Sequence, residues 1–168
     1  MQKKALVVID IQNDITKNYK EIIDNVNSAI NWAVENDICV IYIKHENLSA
    51  GTRTFKHNTR GAELVSELKI VSDNIFTKYK SNMLTSAEFV DFIKKNEITD
   101  FYITGADAAI CVKSSCFNLR KANYNVFVLS DCVTSYDKKQ IPEMLKYYQS
   151  KGCILIDSKE LLKKWRQF

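Results

Sequence analysis

The chain has 168 residues, 46% hydrophobic and 26% charged, with a formal net charge of +4; such a length suits one domain, residues 1–168, that buries roughly 70% of its unfolded surface. This composition excludes a disordered chain, and the longest strongly apolar runs, residues 5–9 and 38–43, fall far short of the roughly 20 residues that cross a bilayer. Lysines and arginines are scattered with no block of like charge, so the charge favours solubility and gives no sign of nucleic-acid or membrane binding.

The cysteines, Cys39, Cys111, Cys116, Cys132 and Cys153, are odd in number and several sit in apolar stretches, which reads as reduced thiols in a cytoplasmic protein.

Residues 4–9 form a continuous aliphatic run, the pattern of a strand covered on both faces, ended by Asp10. Over 19–36 the apolar residues recur at helical spacing. A second strand is predicted at 38–43, followed by a polar loop over 45–59 and a short helix at 62–68. A weak third strand spans 74–77, and Thr85 with Glu88 makes a capping box for a helix over 86–95. The fourth strand is 100–104, Gly105 permits a sharp turn, and 108–122 is helical with Asn123 suited to a left-handed cap. A strand at 126–129, a helix from Pro142 to about Ser150, a strand at 153–156 and a last helix capped by Ser158 complete the chain. This alternation predicts an α/β fold, an open, doubly wound, mainly parallel six-stranded sheet in the order 3-2-1-4-5-6 with helices on both faces.

In such a sheet ligands bind beyond the carboxyl ends of the strands where the order reverses, between strands one and four. Asp10 follows strand one, His45 strand two, Lys78 strand three, and the stretch 105–111 strand four. Cys111 falls in the first turn of its helix, where free N–H groups and the macrodipole favour a thiolate. Asp10 as base and Lys78 as a neighbouring cation would complete a nucleophile–base–orienter set. Taken singly, each has an ordinary reading: a packing cysteine, a turn aspartate, a solvated lysine.

Three ordered segments carry a resemblance. Ala5-Leu6-Val7-Val8-Ile9-Asp10 with Ile11-Gln12-Asn13-Asp14, Phe76-Thr77-Lys78 followed by Ser81-Asn82-Met83, and Tyr102-Ile103-Thr104-Gly105-Ala106-Asp107-Ala108-Ala109-Ile110-Cys111 resemble the motifs of the isochorismatase-like cysteine hydrolases. The resemblance implies Asp10, Lys78 and Cys111 as catalytic residues and a cis peptide between Ala106 and Asp107. It also implies an oxyanion hole built from the backbone N–H groups of Asp107 and Cys111. Ile15 stands where many members carry an aromatic residue, and Asn82-Met83 replaces Ala-Phe, which counts against a pyridine ring as substrate; Ile15, His45, Asn82 and Met83 are the candidate pocket residues. Some members bind a metal through an Asp and several His residues after strand two. With only two histidines, His45 and His57, a three-histidine site is impossible here, and no metal or cofactor is expected.

The function so implied is hydrolysis of a C–N bond in a small amide, ureido or carbamoyl compound through a Cys111 thioester. The alternatives are vinyl-ether hydrolysis, which needs no thiol, and a non-catalytic binding protein of the same fold. A small-molecule substrate and a homo-oligomeric state are expected in either enzymatic case.

Overall fold

β1 (Lys3–Ile9) lies at the centre of the sheet, and its side chains alternate between two cores, Leu6 and Val8 on one face and Ala5, Val7 and Ile9 on the other. All five residues are fully buried, as the unbroken aliphatic run requires of a strand covered on both sides. The structure is a computed structural model that describes residues 3–166; residues 1, 2, 167 and 168 of the predicted domain lie outside the described residues. The sheet order is β3-β2-β1-β4-β5-β6, with β2 (Cys39–His45), β3 (Ile75–Lys78), β4 (Ile98–Ala106), β5 (Asn125–Thr134) and β6 (Ile154–Ile156). All pairings are parallel.

One face carries α2 (Ile23–Glu35) and α6 (Ser158–Arg166); the other carries α3 (Ala87–Lys95), α4 (Cys111–Lys121) and α5 (Ile141–Ser150). A short α1 (Asn13–Thr16) follows β1. No helix among the described residues is long and apolar enough to cross a membrane.

Local chemistry accounts for several element ends. Asn123 takes φ of 67° and Gly152 φ of 86° just past α4 and α5, the left-handed exits that suit these residues. Pro142 sits in the first turn of α5, where no N–H is needed. Gly105 has φ of 119°, and a Cβ there would lie 2.1 Å from the Ile9 carbonyl oxygen. Only glycine lets β4 lie this close to β1 at the point where both strands deliver site residues.

The structure corrects four local expectations. Residues 62–68 are not an α-helix: a 3₁₀ turn at Arg60–Ala62 leads into chain tied to the end of β1 by the Val65 N–H donating to Ile11 O at 3.1 Å. Ala62, Val65 and Leu68 are buried, so a three-residue apolar spacing imitated a helix while the backbone bonded elsewhere. The cap of α3 is Ser86, which accepts from Phe89 N at 3.4 Å, whereas Thr85 donates to Asn82 O at 2.6 Å. At α6 the capping oxygen belongs to Asp157, which accepts from Lys159 N at 2.7 Å; Ser158 donates to Asp131 instead. Finally, α4 begins at Cys111 and not at 108, because residues 107–110 form the turn described below.

Candidate active site

Asp10 leaves the sheet with φ of 55°, its N–H still donating to Ile43 O at 3.0 Å. This left-handed step, tolerated by aspartate, turns the carboxylate across the carboxyl edge of the sheet. Lys78 is the last residue of β3 and pairs in register with His45, the last residue of β2. Cys111 opens α4 after the β4 turn. Three elements from the two sides of the switch point thus aim at one spot.

Lys78 Nζ stands at the centre of that spot. It donates to Asp10 Oδ2 at 3.0 Å, to His45 Nδ1 at 3.0 Å and to Cys111 Sγ at 3.3 Å. The ammonium has three protons, so each acceptor takes one. Lys78 and Asp10 are each about 1% exposed; a lysine buried this deeply is tolerated because its charge is paired and its donors are used. The predicted catalytic residues Asp10, Lys78 and Cys111 are therefore brought together, and His45 joins them.

The electrostatics overturn one expectation. Burial, then the negative charge of Asp10, push the Cys111 thiol up to about 12, against the opposing pull of Lys78. The site at rest holds a thiol, not the thiolate that a helix N-terminus alone would favour, because burial disfavours a charged sulfur and the Asp10 carboxylate repels it, together outweighing the pull of Lys78. Asp10 Oδ1 is buried without a hydrogen-bond partner, which leaves one carboxylate oxygen open to a proton. Burial and the Lys78 cation hold His45 below the ordinary imidazole range, so the ring is neutral at physiological pH.

Between Gly105 and Cys111 the chain makes a turn that several distant residues fix. The Ala106–Asp107 peptide is cis, as the resemblance implies. Ala108 N donates to Thr134 O at 2.8 Å, and Tyr148, fully buried, donates its hydroxyl to Ala108 O. The Asp107 carboxylate accepts four hydrogen bonds: from Ala109 N at 2.8 Å, Ser135 Oγ at 2.8 Å, Tyr136 N at 2.9 Å and Tyr19 Oη at 2.9 Å. Its carbonyl accepts from Ile110 N and Val112 N, both at 3.1 Å. The Cys111 N–H, at the first position of α4, precedes the first intrahelical bond.

Gln12 is a second brace. Its fully buried amide donates to His45 O at 2.8 Å and Ala62 O at 2.7 Å, and accepts from His45 N at 2.8 Å. It continues the β1–β2 ladder by a side chain after the backbone has turned away. The roles of Gln12, Tyr19 and Ser135 leave no local pattern in the sequence, because their partners lie 33, 88 and 28 residues away.

The remaining pocket candidates are placed less directly. Met83 is fully buried in the core under α4, and Ser115, one helical turn beyond Cys111, accepts from its N–H at 3.1 Å. Asn82 spends its side-chain oxygen on Leu84 N at 2.9 Å as a local cap. Ile15 is partly buried against the core that holds Ile11 and Tyr19.

His57 is half exposed, and its Nδ1 meets the Glu46 carboxylate, which also faces Lys44 Nζ at 3.7 Å. Asp10, His45 and Cys111 bring potential ligand atoms within 4.8 Å of one another, but a metal ion does not fit among them. Lys78 Nζ already lies 3.0 to 3.3 Å from those partners, so an ion would have to stand where an ammonium stands.

Known proteins are similar to this chain in sequence and architecture. "Isochorismatase family protein 2A" of Dictyostelium discoideum is 24% identical over 94% of this chain and 80% of its own length. An isochorismatase-like hydrolase from Alkaliphilus metalliredigens superposes with a TM-score of 0.88 at 21% identity, covering 98% of each chain. N-carbamoylsarcosine amidase from Thermoplasma acidophilum gives a TM-score of 0.82 at 19% identity over 94% of this chain and 97% of its own. The isochorismatase domain model matches residues 4–160, the span that supplies every residue of the site, and on that match the chain belongs to the isochorismatase family.

Proposed function

We propose that this protein is a cysteine hydrolase that cleaves a C–N bond in a small amide, ureido or carbamoyl compound through a thioester on Cys111. The carrying observation is that Lys78 Nζ bridges Asp10 and Cys111 while Asp10 Oδ1 stays buried and unpaired. In this reading the Cys111 proton passes to Asp10 as the sulfur attacks the substrate carbonyl carbon. The oxyanion lies against the N–H groups of Asp107 and Cys111, fixed donors that need no reorganisation. Asp10 then returns the proton to the departing nitrogen, the C–N bond breaks, and the acyl group remains as a thioester. Water, deprotonated by Asp10, releases the acid and restores the thiol. Lys78 balances the charge that moves between carboxylate and sulfur.

The name of the structural relative that acts on a carbamoyl compound makes ureido and carbamoyl substrates the first to try. The test compares wild type with Cys111→Ala on a panel of small amides, ureido acids and carbamoyl compounds, scoring ammonia or amine release and trapping the thioester with hydroxylamine. Turnover by wild type with loss in the variant and a hydroxamate product is expected. Equal turnover by both proteins would overturn the thioester route.

A further inference from the structure

His45 Nδ1 accepts the third proton of Lys78, which it can do only if that nitrogen carries a lone pair. The neutral ring must then hold its proton on Nε2, and Nε2 lies 3.0 Å from Asn47 Oδ1, an acceptor. The Asn47 amide is oriented in turn, because its Nδ2 donates to Thr54 O at 2.8 Å. The backbone of Asn47 closes the same loop, with its N–H donating to Phe55 O at 2.8 Å and its carbonyl accepting from His57 N at 3.3 Å. The Phe55 ring packs 5.8 Å from the His45 ring. A chain of oriented hydrogen bonds therefore runs from Thr54 through Asn47 and His45 to the ammonium that touches Cys111.

We propose that Asn47 is a positioning residue that fixes His45 as the Nε2–H tautomer, and thereby couples the conformation of the loop over residues 47–57 to the placement of Lys78 beside Cys111. In the opposite tautomer Nδ1–H would point a second donor at the ammonium, and the two would repel. Lys78 would then keep Asp10 and lose one of its three anchors, and its support of charge on the sulfur would weaken. A substrate or other molecule that parts the Asn47 amide oxygen from the His45 ring acts on the nucleophile through this route without touching it. The inference rests on Cys111 being the reactive thiol of the proposed hydrolase. It is read without turnover, so failure of every amide substrate leaves it testable.

Histidine labelled with ¹⁵N gives only two rings to observe, and His57→Gln assigns them. Two-bond ¹⁵N–¹H correlation should show His45 protonated at Nε2 and bare at Nδ1 in the wild type. Asn47→Leu should convert His45 to the Nδ1–H form or to a mixture, and should slow iodoacetamide modification of Cys111 at pH 8 by about three- to fourfold, the effect of one pH unit in the thiol midpoint once the greater nucleophilicity of the more basic thiolate is allowed for. Asn47→Asp keeps an acceptor for Nε2–H but loses the bond to Thr54; it should preserve the tautomer and restore most of the rate. If Asn47 only held the loop, Asn47→Asp would be as slow as Asn47→Leu. A wild-type ring protonated at Nδ1, or an Asn47→Leu protein unchanged in both tautomer and rate, overturns the proposal.

Discussion

Replacing Asp10 by Asn separates the two tasks of that carboxylate, because it should speed one reaction of Cys111 and abolish another. The carboxylate and the sulfur lie within 4.8 Å of each other. Two unit charges at that separation in an effective dielectric of about 20 repel by about 3.5 kcal/mol, equivalent to about 2.5 pH units in the thiol midpoint. The wild-type thiol, held near 12 by burial and by this charge, should therefore ionise well below that in Asp10→Asn, with Lys78 Nζ still 3.3 Å from the sulfur.

The thiolate fraction at pH 8 rises accordingly, while each thiolate becomes a weaker nucleophile as its pKa falls; together these predict roughly 25-fold faster alkylation. Turnover should move the other way, down by about 10²-fold or more, since Asn can neither take nor return a proton. The assay is iodoacetamide labelling between pH 6 and 11 with peptide mapping of Cys111, run beside hydrolysis of whichever substrate the panel yields. Slower alkylation in Asp10→Asn would refute the reasoning and show that the carboxylate draws the proton from the resting thiol.

Lys78→Met strands Asp10 as a buried charge without its partner and should cost about 3 to 5 kcal/mol. Denaturant titration checks this, and a variant within 1 kcal/mol of wild type by that measure would contradict the pairing. Gly105→Ala forces a Cβ to 2.1 Å from Ile9 O at a φ of 119°; we expect little or no folded protein by circular dichroism, and a stable Ala variant would mean that β4 can retreat from β1. Exhaustive chelation should leave Cys111 reactivity and turnover unchanged, because Lys78 holds the position a metal would need; stoichiometric zinc or iron lost together with activity would contradict that account.

The sheet order and the meeting of Asp10, Lys78 and Cys111 are legible in the sequence for a physical reason. Buried parallel strands need unbroken aliphatic runs, and residues that end such strands collect at one edge by topology alone. Gly105 was legible as a turn because nothing larger fits there. The segment 62–68 misled because burial every third residue looks the same whether the backbone bonds to itself or to Ile11. The helix terminus alone points to a thiolate at Cys111, whereas burial and the nearby carboxylate hold the thiol, and both are fixed only when β1 and α4 are packed together. The position of His45 after strand two marks it as a pocket candidate, but its role as an acceptor for Lys78 depends on the β2–β3 register. The four bonds to the Asp107 carboxylate join three separate stretches of chain and leave no local signature.

Gln12 carries a consequence for how this protein can change over evolution. Its one amide holds both feet of the loop that leaves β2 at His45 and returns at Ala62, and Asn13 adds a second tie to the returning foot through Arg60 O at 2.8 Å. Between those feet, lengthening is cheap, since doubling a flexible loop costs only about 0.6 kcal/mol in closure entropy. Insertions and replacements in the crown away from Asn47 and its partners Thr54 and Phe55 therefore leave the feet, and the sheet edge that presents Asp10 and Lys78, where they are. Loss of Gln12 would instead take the partner from three backbone groups at once. The crown is the part of the loop that selection can rewrite, and the glutamine beneath it is what allows the rewriting to stay local.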